Sequence, residues 1–524
     1  MKELFLKYRV GLLPFLAIYL WVIIASAWVS DDAFITFRSI ENLIHGYGLV
    51  FNIGERVQTF THPLWLLLQT GLYVMINGVG TPFGLNKLYF VNVFLSLCLA
   101  FVTVILYSFR ITRSSKDAIL GLLILTVSKA FIDYSTSGLE NPLSHLIAVS
   151  FFGIFLADKK NGLRSILCLS FWASLGMLNR MDTILLYLPT LIFVTWKNRN
   201  NPKTIYLICI GFLPIILWEL FSLFYYGSLF PNTASAKLNV GISQMTLFKQ
   251  GVYYFMNSLR MDPITLVVIA SLVALSLLTK NLQRILVALG IILYLFYILS
   301  IGGDFMSGRY FSLPLIIAVV VLSPFNIKPL SLYNSILIGV LLVGLLPIYL
   351  VDARGFSYGS TRENNLVFFD KHKISDERLV YAERTGLLTA LKGNSPKVVY
   401  SQEDWVASKE YPVGVQVFGA LGMNGYREGP NVHVIDRNGL ADPLMSKMPL
   451  ADTQNWRIGH FHHVIPEGHL ETLSSGTNRI LDMNIALYYD KLSFVIKGPL
   501  WDWKRIVEIW NLNTGQYDYL LPAE

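Results

Sequence analysis

Long apolar segments, each followed by a short polar turn, recur along the first two thirds of this chain, and no other feature constrains its fold as strongly. About 20 residues of helix cross a bilayer core. Segments near that length stand at 10–29, 87–109, 117–133, 141–157, 163–179, 182–196, 204–224, 262–279, 284–301, 309–323 and 332–350. Charged residues make up 15% of the chain and mean hydropathy is +0.51. A water-soluble chain of 524 residues would carry more charge, so the segments read as spans of an integral membrane protein. The net charge of +8 is not a nucleic-acid signal, because the basic residues sit in short loops between spans, where they set topology. Cys98, Cys168 and Cys209 lie within apolar segments and read as small buried hydrophobes, not as a disulfide framework. The apolar run after Lys2, Lys7 and Arg9 lacks the small-residue cleavage site of a signal peptide and reads as an uncleaved first span.

Residues 63–80 are also apolar, and they decide the orientation. If they cross the membrane, the basic loop Arg110–Lys116 lies outside. If they lie along the interface, that loop is cytoplasmic, together with Lys159, Lys160, Arg164, Lys197, Arg199, Lys203, Lys280, Arg284 and Lys328. The second choice satisfies the positive-inside rule at every loop. The expected architecture is therefore an α-helical polytopic membrane domain over residues 1–351, with about eleven spans and a cytoplasmic N-terminus. Residues 352–524 are richer in charge, Gly, Asn, Asp and His, with strand-like runs at 397–400 and 432–435. They read as a mixed α/β domain outside the cytoplasm.

With this orientation the outer face collects five polar clusters. The first begins at Asp31-Asp32, directly after the first span. A charge near hydrocarbon costs about 2.5–3.5 kcal/mol even on the lenient insertion scale, so adjacent acids at a span mouth point to a water-filled site. Drawn as a helix, Asp31, Arg38, Asn42 and His45 share one face, with Phe34, Phe37, Ile40 and Ile44 largely opposite. That pattern is an amphipathic helix whose apolar side faces lipid, ended by Gly46-Tyr47-Gly48. Glu55, Arg56, Thr61 and His62-Pro63 follow. The other clusters are Asp133–Asn141 with Glu140 and nearby His145; Asn179-Arg180-Met181-Asp182; Tyr225–Thr233 with Lys237; and Gly302–Arg309 with Asp304.

Each has a bland alternative. Arg180 and Asp182 could be a structural ion pair, Lys237 an ordinary interfacial lysine, His62 and His145 packed side chains, and Asp304 and Arg309 the anchor of a span. Glu219, inside a span, needs a partner or a cavity. Taken together, the clusters hold acids suited to base work and cations suited to a departing anion. No GxxxxGK[ST] or HExxH motif is present, and the histidine run at 460–463 reads as a surface loop.

The stretch from Asp31 to Trp65, then Ser137–Leu143, Asn179–Asp182, Tyr225–Lys237, Gly302–Tyr310 and Gly429–Phe461, resembles the GT-C superfamily of polytopic glycosyltransferases. Within it the wording is similar to the mycobacterial terminal arabinofuranosyltransferase branch and its Gram-negative relatives. The chain has Thr61-His62-Pro63 and Arg180-Met181-Asp182 where many relatives have Thr-Asn-Pro and Arg-Pro-Asp. The resemblance implies a transfer of arabinofuranose or another pentose from a polyprenyl-phosphate donor to a cell-envelope glycan, on the periplasmic side of a bacterial inner membrane. It implies Asp31 or Asp32 as base, with Asp31 favoured, and a divalent cation at the pair as an open alternative. Lys237, Arg309 and Arg180 would hold the donor phosphate. Arg38, His45, His62, Glu140, Asp182 and Asp304 would contact substrate, with Trp456 and Tyr426 as stacking platforms or as core. The competing class is a non-enzymatic envelope or flagellar scaffold, or a transporter.

Overall fold

The computed structural model describes residues 10–78, 85–158, 162–237, 241–323, 330–350, 370–393 and 414–522. Lys159, Lys160, Lys328 and the strand expected at 397–400 lie outside them. The chain is predominantly helical. In order it forms α1 (Leu13–Ser26), α2 (Asp31–Ile44), α3 (Pro63–Asn77), α4 (Leu85–Leu106), α5 (Ser115–Val127), α6 (Lys129–Tyr134), α7 (Asn141–Ala157), α8 (Leu163–Asn179), α9 (Ile184–Lys197), α10 (Lys203–Gly211), α11 (Leu213–Tyr225) and α12 (Asn232–Lys237). There follow α13 (Gln244–Met261), α14 (Pro263–Thr279), α15 (Leu282–Ser300), α16 (Ser312–Leu322), α17 (Leu330–Leu350), α18 (Glu377–Thr385) and α19 (Leu387–Leu391). The last part holds β1 (Val415–Phe418), α20 (Gly422–Glu428), β2 (His433–Asp436), α21 (His469–Ser475), α22 (Met483–Lys497) and α23 (Trp503–Asn513).

Among the described residues, two helices are by themselves long and apolar enough to cross a membrane, Lys87–Ile111 and Leu282–Ser300, and up to five if bent pairs are joined. Shorter apolar helices accompany them, including Asn141–Ala157 and Leu163–Asn179. Helix ends follow local chemistry. Ser114, Asn281 and Asp482 cap α5, α15 and α22 through side-chain oxygens. Proline stands in the first turn of α3, α7 and α14, where its missing N–H has no partner to lose.

The chain divides into two compact units. One comprises residues 1–30, 89–215 and 244–396; the other comprises 31–88, 216–243 and 397–524. In the first, α7, α8, α9 and α15 pack as neighbours, and α16 is buried along its length. Gly290 of α15 lies against the backbone of Leu186 on α9, and any side chain there would strike the Leu186 carbonyl. Residues 370–393, expected within the C-terminal domain, pack in this unit. Ser375 exchanges main-chain hydrogen bonds with Phe305 and Ser307 at 2.7 and 2.9 Å, and Leu387 donates to the Ala27 carbonyl at 2.9 Å.

In the second unit β1 and β2 pair in parallel, Val415 opposite His433, with α20 as the crossover. The strand expected at 432–435 is β2. One core gathers Ile35, Phe51, Phe418, Leu421 and Val434. A second gathers Val57, Leu444, Tyr488, Tyr489 and Leu492 beneath α22.

Candidate active site

In the first unit, three of the sequence clusters converge on one carboxylate. Glu140 has no exposed side-chain surface and ends the loop before α7. Arg180, at the C-terminus of α8, reaches Glu140 Oε1 at 3.1 Å. It also makes a forked pair with Asp182, Nε to Oδ1 at 3.0 Å and Nη2 to Oδ2 at 2.6 Å. Arg309, in the turn before α16, places Nη2 3.2 Å from the same Glu140 oxygen, and its Nη1 lies 3.6 Å from Asp304. The Arg180 guanidinium stands 4.5 Å over the Tyr310 ring. Two cations and three acids thus form one nearly buried group. The ion-pair alternative for Arg180 and Asp182 is what is seen, enlarged by Glu140 and Arg309. One donor is left over: Arg309 Nε is buried and makes no hydrogen bond among the described residues.

Asn179 and Asn141 hold the surrounding backbone. Asn179 donates to the Glu140 carbonyl at 3.0 Å, and Asn141 reaches Ser312 at 3.2 Å. His145 is a packing residue, 3.1 Å from Ser312 Oγ and stacked on Phe131.

The same unit contains a second ionic group. Lys129 pairs with Asp133 and, at 3.0 Å, with Asp376; Arg378 lies 3.6 Å from Asp133. Lys129 carries a sequence signal, as a lysine inside an apolar run, and Asp133 opens the second polar cluster. Asp376 and Arg378 sit far along the chain, in a segment whose composition marks it only as polar.

In the second unit, α2 forms where the spacing places it. Its apolar face does not look onto lipid: Phe34, Phe37 and Ile40 are fully buried in protein. Tyr426 of α20 packs edge-on against Phe34 and Phe37 at 5.8 and 6.4 Å and donates to Glu41 at 3.1 Å, so this ring belongs to the core. Arg38 is buried, with Nε on the Phe51 carbonyl at 2.8 Å, Nη1 on the Gly425 carbonyl and Nη2 on the Val432 carbonyl at 2.8 Å. Burial pulls this guanidinium down to about 9, against the opposing pull of Glu428, and its charge rests on carbonyl dipoles.

Asp31 is also engaged. Its Oδ2 accepts from the Gly422 N–H at 3.1 Å and its Oδ1 from Met423 at 2.8 Å. A side chain at Gly422 would run into the Asp31 carbonyl, so the approach requires glycine. Asp32 follows in the first turn of α2, half-buried. Among the described residues no three His, Cys, Asp or Glu side chains gather as a metal site. His62 bonds Thr36 at 2.7 Å and so ties the start of α3 to α2. His45 turns back onto the Glu41 carbonyl at 2.7 Å. Lys237 is exposed at the end of α12. Glu219 Oε1 has no hydrogen-bond partner among the described residues. The histidine run is not wholly a surface loop, because His463 is buried with Nδ1 2.6 Å from the Met448 carbonyl.

Residues 83–221 match the family model described as dolichyl-phosphate-mannose-protein mannosyltransferase, and this stretch contains Glu140, Arg180 and Asp182. The chain is 27% identical to the terminal beta-(1->2)-arabinofuranosyltransferase of Mycobacterium tuberculosis, over 84% of this chain and 81% of that protein. It is 24% identical to the protein of the same description from Corynebacterium glutamicum, over 83% and 72%. These matches bear out the resemblance read from the motifs. They support a glycosyltransferase activity.

Proposed function

We propose that this chain transfers a pentofuranosyl residue, arabinofuranose being the first choice, from a polyprenyl-phosphate donor to a cell-envelope glycan on the outer face of a bacterial inner membrane. The observation that carries the phosphate part of this reading is the Arg309 guanidinium. It stands beside Arg180 on a shared Glu140, and its buried Nε has no protein acceptor among the described residues. A phosphate oxygen would satisfy that donor, and two guanidiniums suit the charge that grows on the leaving phosphate.

The reaction needs a base for the acceptor hydroxyl. The hydroxyl loses its proton as its oxygen bonds the anomeric carbon, while the anomeric carbon–phosphate oxygen bond breaks and polyprenyl phosphate departs. Both Asp31 oxygens accept main-chain N–H groups, which ties that carboxylate to α20. Asp32 is therefore assigned as base and Asp31 as its positioning neighbour, the reverse of the preference drawn from sequence. Arg38 and His62 then serve to hold α2, and Asp182 and Asp304 to hold the two arginines. Lys237, exposed at the end of α12, is a further candidate for the donor phosphate. The orientation with about eleven spans, and residues 352–524 outside the cytoplasm, remains part of this reading.

The test is direct. Full-length protein in lipid nanodiscs would receive a short-chain polyprenyl-phosphoryl arabinofuranose carrying a radiolabel and an arabinan oligosaccharide. Transfer lost in Asp32→Asn is the expected result. No transfer from this donor, nor from other polyprenyl-phosphate pentoses, would overturn the proposal.

A further inference from the structure

The C-terminal helix α23 turns its apolar side outward. Trp503, Ile506, Val507 and Trp510 follow the i, i+3, i+4, i+7 spacing of a single helix face, and all four are exposed. Trp503 is 73% exposed, Trp510 67% and Trp501, just before the helix, 86%. The inward side carries Arg505 and Ile509, both buried. A helix on a water-facing surface has the opposite arrangement, with charge outward.

The position of α23 says what covers that face. Arg505 donates Nη1 to the Phe224 carbonyl at 2.7 Å and Nη2 to the Tyr225 carbonyl at 2.9 Å. These are orphan carbonyls at the C-terminus of α11, so Arg505 caps that helix and fixes α23 across its end. Asn513 adds a bond to the Gly227 carbonyl at 2.7 Å. Helix α11 belongs to an expected span, and its Leu217, Leu220 and Phe221 are exposed. The line continues through Phe224, whose ring lies 4.8 Å from that of Trp501. Leu229 and Phe230, in the turn beneath α23, are exposed as well. One apolar surface therefore runs from a membrane helix onto α23.

We infer that α23 is an interfacial anchor, lying in the headgroup region of the leaflet where α11 leaves the hydrocarbon, with Trp501, Trp503 and Trp510 inserted. Tryptophan concentrates at that depth because its ring is apolar and its N–H needs a polar partner. Exposed Lys504 stands beside Trp503, placed to meet lipid phosphate. The anchor needs a bilayer only, and it stands whether or not the proposed transfer reaction is right.

A labelling experiment on the full chain tests it. Cys98, Cys168 and Cys209 would be replaced by alanine, and a single cysteine introduced as Ile506→Cys or, as a water-facing control, Glu471→Cys. Each would carry a small fluorophore in phosphatidylcholine–phosphatidylglycerol nanodiscs, with and without lipid brominated near the headgroup end of its acyl chains. The label at 506 is expected to lose most of its emission to the bromines and to resist aqueous iodide, while the label at 471 does the reverse. Equal behaviour at the two positions would overturn the inference. So would a disulfide-linked dimer through position 506 with no bromine quenching, which would assign the face to a second copy of the chain.

Discussion

Met423 donates its main-chain N–H to Asp31 at 2.8 Å, across 392 residues of sequence. With the neighbouring bond from Gly422, it makes the first acid after the first span a clamp on α20. This separates the two adjacent acids by role. Asp31→Asn puts an NH2 group against one of two N–H donors, leaving a mismatched, half-buried pair that costs about 1 kcal/mol. The variant should melt lower and lose transfer in proportion to misfolding. Asp32→Asn should lose transfer by about 10²–10⁴-fold per folded molecule, the usual range for a missing base. Thermal unfolding and turnover measured on the same preparations separate them. A stable but dead Asp31 variant beside an active Asp32 variant would return the base to Asp31.

The shared carboxylate of Glu140 governs the second prediction. Arg309→Lys keeps a positive charge but loses the fork that serves Glu140 and the spare Nε. It should fold and raise the KM for donor. Arg309→Ala should cost roughly 30- to 1,000-fold in transfer, the range expected when a charge-assisted hydrogen bond is removed from a water-poor site. Lys237→Ala, at an exposed position, should act more weakly, and its effect should shrink as salt rises. A donor KM that moves in none of the three variants would remove the phosphate role from this group.

What the sequence shows plainly is local. The bounds of α2 follow from the spacing of Asp31, Arg38 and Asn42 and from the glycines at 46 and 48, both of which adopt positive φ. The cover on its apolar face does not follow, because α20 lies in a distant segment and a buried apolar face has the same periodicity as a lipid-facing one. The charged members of the Glu140 group could be named one by one, since each interrupts an apolar pattern. That both arginines meet on Glu140 is a fact of tertiary packing. Lys129 shows the limit most clearly: a lysine within an apolar run announces a partner, and nothing local says that Asp376 is one of them. On α23 the spacing of Trp503, Ile506, Val507 and Trp510 marks an amphipathic helix, but amphipathicity does not say which face meets protein.

Orientation gives a third prediction. If the basic loops face the cytoplasm, Arg113→Cys should react with a membrane-impermeant maleimide only after cells are opened. Pro430→Cys, in the segment proposed to lie outside, should react in intact cells. Labelling at 113 and protection at 430 would invert the whole arrangement and, with it, the side on which the sugar is transferred.

The last prediction concerns pH. Asp442 and His469 form a buried pair in the second unit, Oδ2 to Nε2 at 2.7 Å. Burial pushes the Asp442 carboxyl up, but the facing His469 and the amide of Met445 outweigh it and hold it down at about 2. Burial likewise disfavours the charged imidazole of His469, and Asp442 outweighs it, so this group is raised; Glu55 adds to the pull and Lys497 opposes it. A depressed carboxylate stabilises the fold above its unfolded value near 4, and that contribution disappears as pH falls toward 2. A raised histidine stabilises below its unfolded value near 6.5, and its contribution disappears as pH climbs through the raised folded value. The pair therefore favours the fold most between about pH 4 and 6.5. Asp442→Asn leaves His469 buried without its counter-charge, costs about 3–5 kcal/mol as broken buried pairs do, and should flatten both limbs. Unfolding midpoints of the full chain in detergent, taken from acid to mildly alkaline pH, would show the parent falling on each side of that window. Parallel curves for parent and variant would mean that the pair does not set the pH response.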